Sequence, residues 1–336
     1  MKKAVIIVAS LIIIAVISCG VIVVHAYLTR PEIGTEDRMN PWGEQYLYTD
    51  AMKRVEGWKR VVHMPEPVIT KEEMGMIDGS TATVPIKAEL FRQFYDDTDD
   101  AIYVSHSKTH EAYLNLINKK SQYIYKRVID FILVTPPSKD ELAYAESMGV
   151  ELDITPVARD GFVFITHKNN PVDSLTIAQV QDIYTGKITN WSELGGEDLP
   201  ITAYQREKNS GSQTAMEQTV MKGAKMIDPV NAMVHGMSGL VERVAEYNND
   251  TRSIGYTYYY YLNNLYRNEN IKALKIEGFS PDNENLISEK YPFTVSYMAV
   301  IRSDEPENSP ARRLRDFFLT EAGQQTVEMA GYCRAQ

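Results

Sequence analysis

The chain has 336 residues, 44% of them hydrophobic, which is enough for two domains with a core each. Its formal net charge of -10 argues against a nucleic-acid partner and against a polybasic membrane surface. Cys19 lies in an apolar segment and Cys333 in the last turn, so no structural disulfide is expected; CxxC, HExxH and metal-spaced histidines are absent, so neither metal nor other cofactor is expected.

Lys2 and Lys3 precede an almost unbroken apolar run from Ala4 to Val24, long enough to span a bilayer as a helix. The lysines should stay cytoplasmic and the remainder outside. Two readings stay open for residues 1–26: an uncleaved signal anchor, or a lipoprotein signal in which Val16-Ile17-Ser18-Cys19 resembles a bacterial lipobox and Cys19 carries lipid. The apolar stretch Gly20 to Val24 beyond the cysteine leans towards the anchor. Either way the protein is expected at the cell membrane, on its extracellular face, and this segment is set aside from the fold. Residues 27–70 read as a polar tether with scattered prolines and a short helix over Ala51 to Val62.

From about Glu72, strand and helix signals alternate, the pattern of an α/β fold. A short strand is predicted at Met74 to Ile77, then the turn Gly79 to Thr83 and a helix opened by Pro85. A strand follows at Ala101 to Ser105, a helix led by Thr109 with Tyr113, Leu114, Leu116 and Ile117 on its apolar side, and a strand at Phe131 to Val134. Ser138 and Glu141 form a capping box for a helix to about Met148. Asp153 to Thr166 is a long extended stretch. Thr176 and Gln179 cap a helix to about Tyr184, and Lys187 to Leu194 is turn-rich. The strand Ile201 to Tyr204 leads through Arg206 and Asn-Ser-Gly-Ser into a helix. A helix over Val234 to Tyr247, a strand over Ile271 to Ile276, a second extended stretch over Tyr291 to Ile301 and a helix over Pro310 to Met329 complete the series. The two long extended stretches suggest two crossings between two domains: a discontinuous domain I (71–160 plus 293–336) and domain II (161–292).

The stretch from Ile201 to Val220 carries the strongest functional signal. Arg206 brings a permanent charge and a fork of donors suited to anionic oxygens. Ser210 and Ser212 offer hydroxyls, Gly211 permits close approach of the backbone, and the following helix start aims N–H groups at the same point. The plain alternative is a surface turn with a serine N-cap and a solvated arginine. Four loops share the design of strand, small polar residues and helix start: Gly79 to Thr83, Ser105 to Thr109, Thr135 to Ser138 and Arg206 to Ser212. In an open α/β sheet such loops lie at the carboxyl ends of strands, where ligands bind. Each alone is weak, since Ser and Thr are ordinary N-caps.

With these loops in order, the chain resembles the PstS-like phosphate-binding proteins of ABC transporters. The motifs are DGSTATVP (Asp78 to Pro85), NPVDSLTIAQVQDIYTGKITNW (Asn170 to Trp191), YQREKNSGSQTAM (Tyr204 to Met216), SIGYTYYYY (Ser253 to Tyr261) and YPF (Tyr291 to Phe293). The resemblance implies a type II periplasmic-binding-protein fold: two α/β domains joined by a two-strand hinge, with the N-terminal membrane segment outside it. It implies binding of phosphate or a related oxyanion in an interdomain cleft, delivery to an ABC-transporter permease, a monomer, and no enzymatic activity. Carried over by position, Arg206, Ser210, Gly211 and Ser212 match the family's phosphate grip. Ser80 and Thr81 match its first-loop hydroxyls, with Thr83 close by, and Thr109 falls near its second-loop serine. The departure is at Thr135-Pro136, where the family usually shows a serine-arginine pair or an aspartate. A carboxylate there accepts the proton of hydrogen phosphate, whereas a threonine both accepts and donates.

Two other functions compete: a sensory or accessory module of the same fold that does not transport, and a serine hydrolase using Ser210 or Ser212. The hydrolase lacks GxSxG and a histidine close in sequence to either serine. His106, His110 and His167 read as surface or hinge residues, Tyr256 and the tyrosines at 258–261 as core and sheet faces, and Lys187 and Trp191 as turn and packing residues.

Overall fold

The computed structural model describes residues 58–64, 66–96, 106–121, 127–229, 232–246 and 251–335. The apolar run with Cys19, most of the 27–70 segment and the strand expected at 101–105 lie outside the described residues. Among the described residues, no helix is long and apolar enough to cross a membrane.

The chain does not run free up to residue 70. Residues 58–62 form no helix, but Val61 and Val62 donate their N–H groups to Gln93 Oε1 (2.9 and 3.1 Å), Trp58 Nε1 donates to Glu89 Oε1 (3.0 Å), and Val62 and Ile69 are buried. The expected strand at 74–77 is displaced: a 3₁₀ turn fills Glu73–Met76, and strand β1 spans Ile77–Gly79. Helix α1 (Val84–Phe94) carries Pro85 in its first turn, where a missing N–H costs nothing.

Helix α2 (Thr109–Ile117) buries Tyr113, Leu116 and Ile117 and leaves Leu114 half-exposed. Strand β2 (Phe131–Val134) is followed by α3 (Lys139–Ser147), whose capping box joins Ser138 and Glu141 as the sequence implies. Strand β3 runs unbroken over Leu152–His167. A short strand β4 (Ser174–Leu175) precedes α4 (Ile177–Tyr184), again with its capping box formed.

Strands β5 (Thr202–Ala203) and β6 (Gln205–Arg206) lead to α5 (Gly211–Ala215), which continues as a π-helical turn through Met216–Met221. Val234 belongs to strand β7 (Met233–Val234), so α6 starts later than expected, at Met237, and ends at Glu246. Strand β8 (Ser253–Tyr258) follows. The single strand expected over 271–276 is two, β9 (Ile271–Ala273) and β10 (Lys275–Ile276), because β9 pairs with β3 and β10 with β4.

A short helix α7 (Asn283–Ile287) and strand β11 (Thr294–Arg302) come next. The helix expected over 310–329 is also two, α8 (Pro310–Phe318) and α9 (Glu321–Met329), since the Thr320 side chain accepts the Gly323 N–H and starts a new N-cap. Strand β12 (Cys333–Arg334) ends the described chain.

The sheet runs in the order β1-β2-β11-β3-β8-β5, with β9 and β12 also pairing with β3. β3 is its spine. Leu152 to Gly161 pair with β11, and Phe162 to Thr166 pair with β8. Pro156 has no N–H to give to the ladder, and the register with β11 shifts next to it, the kind of bulge that lets proline sit in an interior strand. Phe162, Phe164, Tyr184, Tyr256 and Phe293 pack edge to face or tilted around the spine. Where the pairing hands over from β11 to β8 lies the buried Asp160. Its Oδ1 accepts N–H groups from Gly161 (2.7 Å) and Tyr260 (3.2 Å), and its Oδ2 accepts the Tyr297 hydroxyl (3.1 Å). Burial nevertheless raises its carboxyl to about 7, against the pull of these three donors.

Candidate functional site

The first loop leaves β1 at Gly79. A Cβ on this residue would stand 2.6 Å from the Leu133 carbonyl oxygen, so only glycine lets β1 come this close to β2. Ser80 N–H donates to that same carbonyl (3.1 Å) and to Thr83 Oγ1 (3.2 Å). The Thr83 hydroxyl in turn donates to Leu133 O at 2.6 Å. Its single proton serves that carbonyl and Ser80 O, 3.0 Å away, so in the contact between Ser80 Oγ and Thr83 Oγ1 (3.4 Å) the serine is the donor. Thr81 opens the short 3₁₀ turn and is half-buried.

The second loop is fastened to the first by Asp78. Its Oδ1 accepts from Gly79 N–H and Ser107 N–H (2.7 Å each), and its Oδ2 from Asn115 Nδ2 (2.9 Å). Lys108 takes a left-handed backbone (φ 71) and hands over to Thr109, buried at the start of α2. The third loop leaves β2 at Thr135, whose carbonyl accepts the Tyr113 hydroxyl (2.8 Å) and whose own side chain is 1% exposed.

The fourth loop supplies the charge. Arg206 is 6% exposed. Its backbone N–H donates to Tyr256 Oη (3.0 Å) and Gln213 Oε1 (3.2 Å). Its guanidinium is held on one edge by Glu207, Nε to Oε2 at 3.1 Å and Nη2 to Oε1 at 3.0 Å, with Val234 O also accepting from Nε at 3.1 Å. The remaining nitrogen, Nη1, points to Ser212 Oγ at 3.3 Å. Burial would raise the Glu207 carboxyl, but the charge and hydrogen bonds of Arg206 outweigh it and hold the group below its usual range. Ser210 serves as N-cap of α5, its Oγ accepting the Gln213 N–H at 3.3 Å.

These loops meet at Gly211. A Cβ there would lie 2.5 Å from Thr135 Oγ1 and 2.8 Å from Thr109 Oγ1. The glycine that the sequence suggests for close approach to a ligand thus also permits close approach of the second and third loops. Nearby polar contacts join the same segments: Asp140 Oδ2 accepts from Lys208 Nζ (2.6 Å) and Asn209 Nδ2 (3.1 Å), and Pro137 O accepts from Gln218 Nε2 (3.0 Å).

Asp78, Glu207, Gln213 and Tyr256 are the site residues that sequence reasoning missed. Glu207 carried a local signal, a carboxylate beside the arginine. Tyr256 carried none, because its hydroxyl reaches Arg206 across fifty residues of chain. His167, read as a surface or hinge residue, is buried at the end of β3. Among the described residues, no group of three or more His, Cys, Asp or Glu side chains is arranged to hold a metal ion. The arrangement is one arginine, its counter-charge, and a set of neutral hydroxyl and amide donors, suited to holding an anion.

The family model described as a PBP superfamily domain matches residues 74–321, and the chain belongs to that superfamily. Among relatives, the phosphate-binding protein PstS of Borreliella burgdorferi is 24% identical over 267 residues, 78% of this chain and 90% of that protein. PstS of Bacillus subtilis is 30% identical over 137 residues, a match spanning 40% of this chain and 42% of that protein. A solved structure from Clostridium perfringens, described as a candidate phosphate ABC transporter substrate-binding protein with bound phosphate, is 28% identical with a TM-score of 0.57, over 77% of this chain and 98% of that one. An ABC-type phosphate transport receptor from Vibrio cholerae shares the fold, at 20% identity and a TM-score of 0.53, over 76% of this chain and 98% of that one.

Proposed function

We propose that this protein binds phosphate, or a closely related oxyanion, and delivers it to the permease of an ABC transporter. The observation that carries the reading is the meeting of Gly211 with Thr109 and Thr135 beside a buried, oriented arginine. Membership of the PBP superfamily and the likeness to a phosphate-bound structure support it.

In this reading the ligand lies between two lobes, residues 71–160 plus 293–336 and residues 161–292, with β3 and β11 as the hinge strands of a type II periplasmic-binding fold. Arg206 Nη1, Ser212, the N–H groups at the start of α5, Thr109, Thr135 and Ser80 face the anion. Ser210 and Thr83 hold the two loops in shape, and Thr81 extends the first. Glu207 clamps the guanidinium so that its free edge is presented without reorganisation when ligand arrives. Closure completes the hydrogen-bond shell, and ligand favours the closed state by its differential affinity. The contacts of Asp140 with Lys208 and Asn209 then form on closure at the rim. The apolar run at 4–24, as an anchor or with lipid on Cys19, tethers a monomeric receptor to the extracellular face of the membrane. The site binds and releases its ligand unchanged.

Calorimetric titration of the full-length protein, stripped of ligand, with phosphate tests this reading. Tight binding is expected, and Arg206→Ala should weaken it by roughly a hundredfold, the loss of charge-assisted hydrogen bonds in a buried site. A folded parent protein with no phosphate affinity refutes it.

A further inference from the structure

Strand β8 puts two phenols on one face, two residues apart. Tyr256 uses its hydroxyl fully, accepting the Arg206 N–H and donating to Gln213. Tyr258, also 1% exposed, has no hydrogen-bond partner for its hydroxyl. The same holds for Thr135 Oγ1, the atom that stands against Gly211 where the loops meet. Burial pushes the Tyr258 phenol far above its usual range, helped by the charge of Asp160 and opposed by Arg206 and by the Thr135 hydroxyl, which lies near it but outside hydrogen-bond geometry. It is a neutral hydroxyl at any physiological pH, adjacent to Thr135. A buried hydroxyl left unpaired has given up its water without a replacement and destabilises the fold. The Thr257 hydroxyl on the same strand is also unpaired, but only those of Tyr258 and Thr135 lie side by side where the loops meet, and that pair marks a place for a polar guest.

We infer that the Tyr258 hydroxyl, together with Thr135 Oγ1, contacts the bound anion and sets which protonation states it accepts. The inference rests on the proposed oxyanion-receptor reading and names a residue outside the four loops. A carboxylate facing the ligand accepts a proton and repels a bare oxygen. A hydroxyl does either, donating to a bare oxygen or accepting from a protonated one. The carboxylates near these loops are engaged elsewhere: Asp78 with Gly79, Ser107 and Asn115, Asp160 with Gly161, Tyr260 and Tyr297, and Glu207 with Arg206. The ligand class is therefore a tetrahedral oxyanion with or without a proton. Sulfate should compete with phosphate, and phosphate affinity should be nearly level across the second ionisation of the ligand.

Titration calorimetry of the full-length protein with inorganic phosphate and with sulfate, beside Tyr258→Phe and Thr135→Val, provides the test. Each substitution removes one hydroxyl and keeps the shape. The expected result is sulfate affinity within about tenfold of phosphate, and a loss of roughly 10- to 100-fold in phosphate affinity for Tyr258→Phe. Its ligand-free unfolding midpoint should hold or rise, because a buried unpaired hydroxyl is gone. Wild-type phosphate affinity in Tyr258→Phe, or rejection of sulfate by more than about a thousandfold in the parent, overturns the inference while leaving the receptor reading intact. A parent that binds no phosphate overturns both. Thr135→Val, expected to lose affinity over the same range, carries the test if Tyr258→Phe does not fold.

Discussion

Replacing Gly211 by alanine separates contact made in closure from contact made in folding. The added methyl would sit 2.5 Å from Thr135 Oγ1 and 2.8 Å from Thr109 Oγ1, both far inside van der Waals contact. Neither threonine yields easily, since β-branched side chains are stiff at χ1 and each sits on a fixed helix or strand end. Overpacking of this kind costs about 1–3 kcal/mol. If the loop meets Thr109 and Thr135 only when the lobes close, the cost falls on the closed state alone. Phosphate affinity should then drop by roughly 5- to 150-fold, at about 1.4 kcal/mol per decade, while the ligand-free urea midpoint hardly moves. Titration calorimetry and urea unfolding of the full-length protein, done in parallel, read the two quantities. A loss of 1–3 kcal/mol in ligand-free stability with unchanged phosphate affinity would refute the reasoning, because the clash would then belong to the resting fold.

Two further outcomes follow from the sheet. Burial raises the Asp160 carboxyl from its ordinary 3.8 to about 7, so its contribution to stability is complete below about pH 4 and is lost as pH rises through 7. Unfolding free energy measured by denaturant at several pH values should fall across that window by a few kcal/mol, on the order of 1.4 per pH unit. Asp160→Asn should flatten the fall, since its Oδ1 can still accept from Gly161 and Tyr260 while its amide donates to the Tyr297 oxygen; a slope equal to wild type would rule Asp160 out as its source. Gly79→Ala places a methyl 2.6 Å from a backbone carbonyl that the β1–β2 ladder holds in place. It should cost at least about 2 kcal/mol of stability, and an unchanged urea midpoint would show that the ladder gives way.

Much of the architecture was legible because it is local. The capping boxes at Ser138 and Thr176 declare their helices within four residues, and the apolar runs around 160 and 295 declare two long strands. The errors came where a neighbour in space overruled a local pattern. The apolar stretch from 271 to 276 reads as one strand, yet it serves two different partners. The amphipathic run from 310 to 329 reads as one helix for a different, local reason: Thr320 caps a second helix within it. Of the candidate site residues, Arg206 and Ser212 lie six apart in sequence and are joined directly, Nη1 to Oγ at 3.3 Å. Thr83 looks no different from Thr109 or Thr135 in sequence, but its proton is taken up by the Leu133 and Ser80 carbonyls.

By itself the sequence determined the alternation of strands and helices, the four hydroxyl-bearing loops and the arginine among them, because propensity, capping and period act over a few residues. It could not say which loops touch. That Gly211 lies against Thr109 and Thr135, that Tyr256 steadies Arg206, and that Asp160 is buried at the handover within β3 depend on strand order and register. These are settled by the burial of surfaces separated by tens to more than a hundred residues of chain, and no local pattern records them.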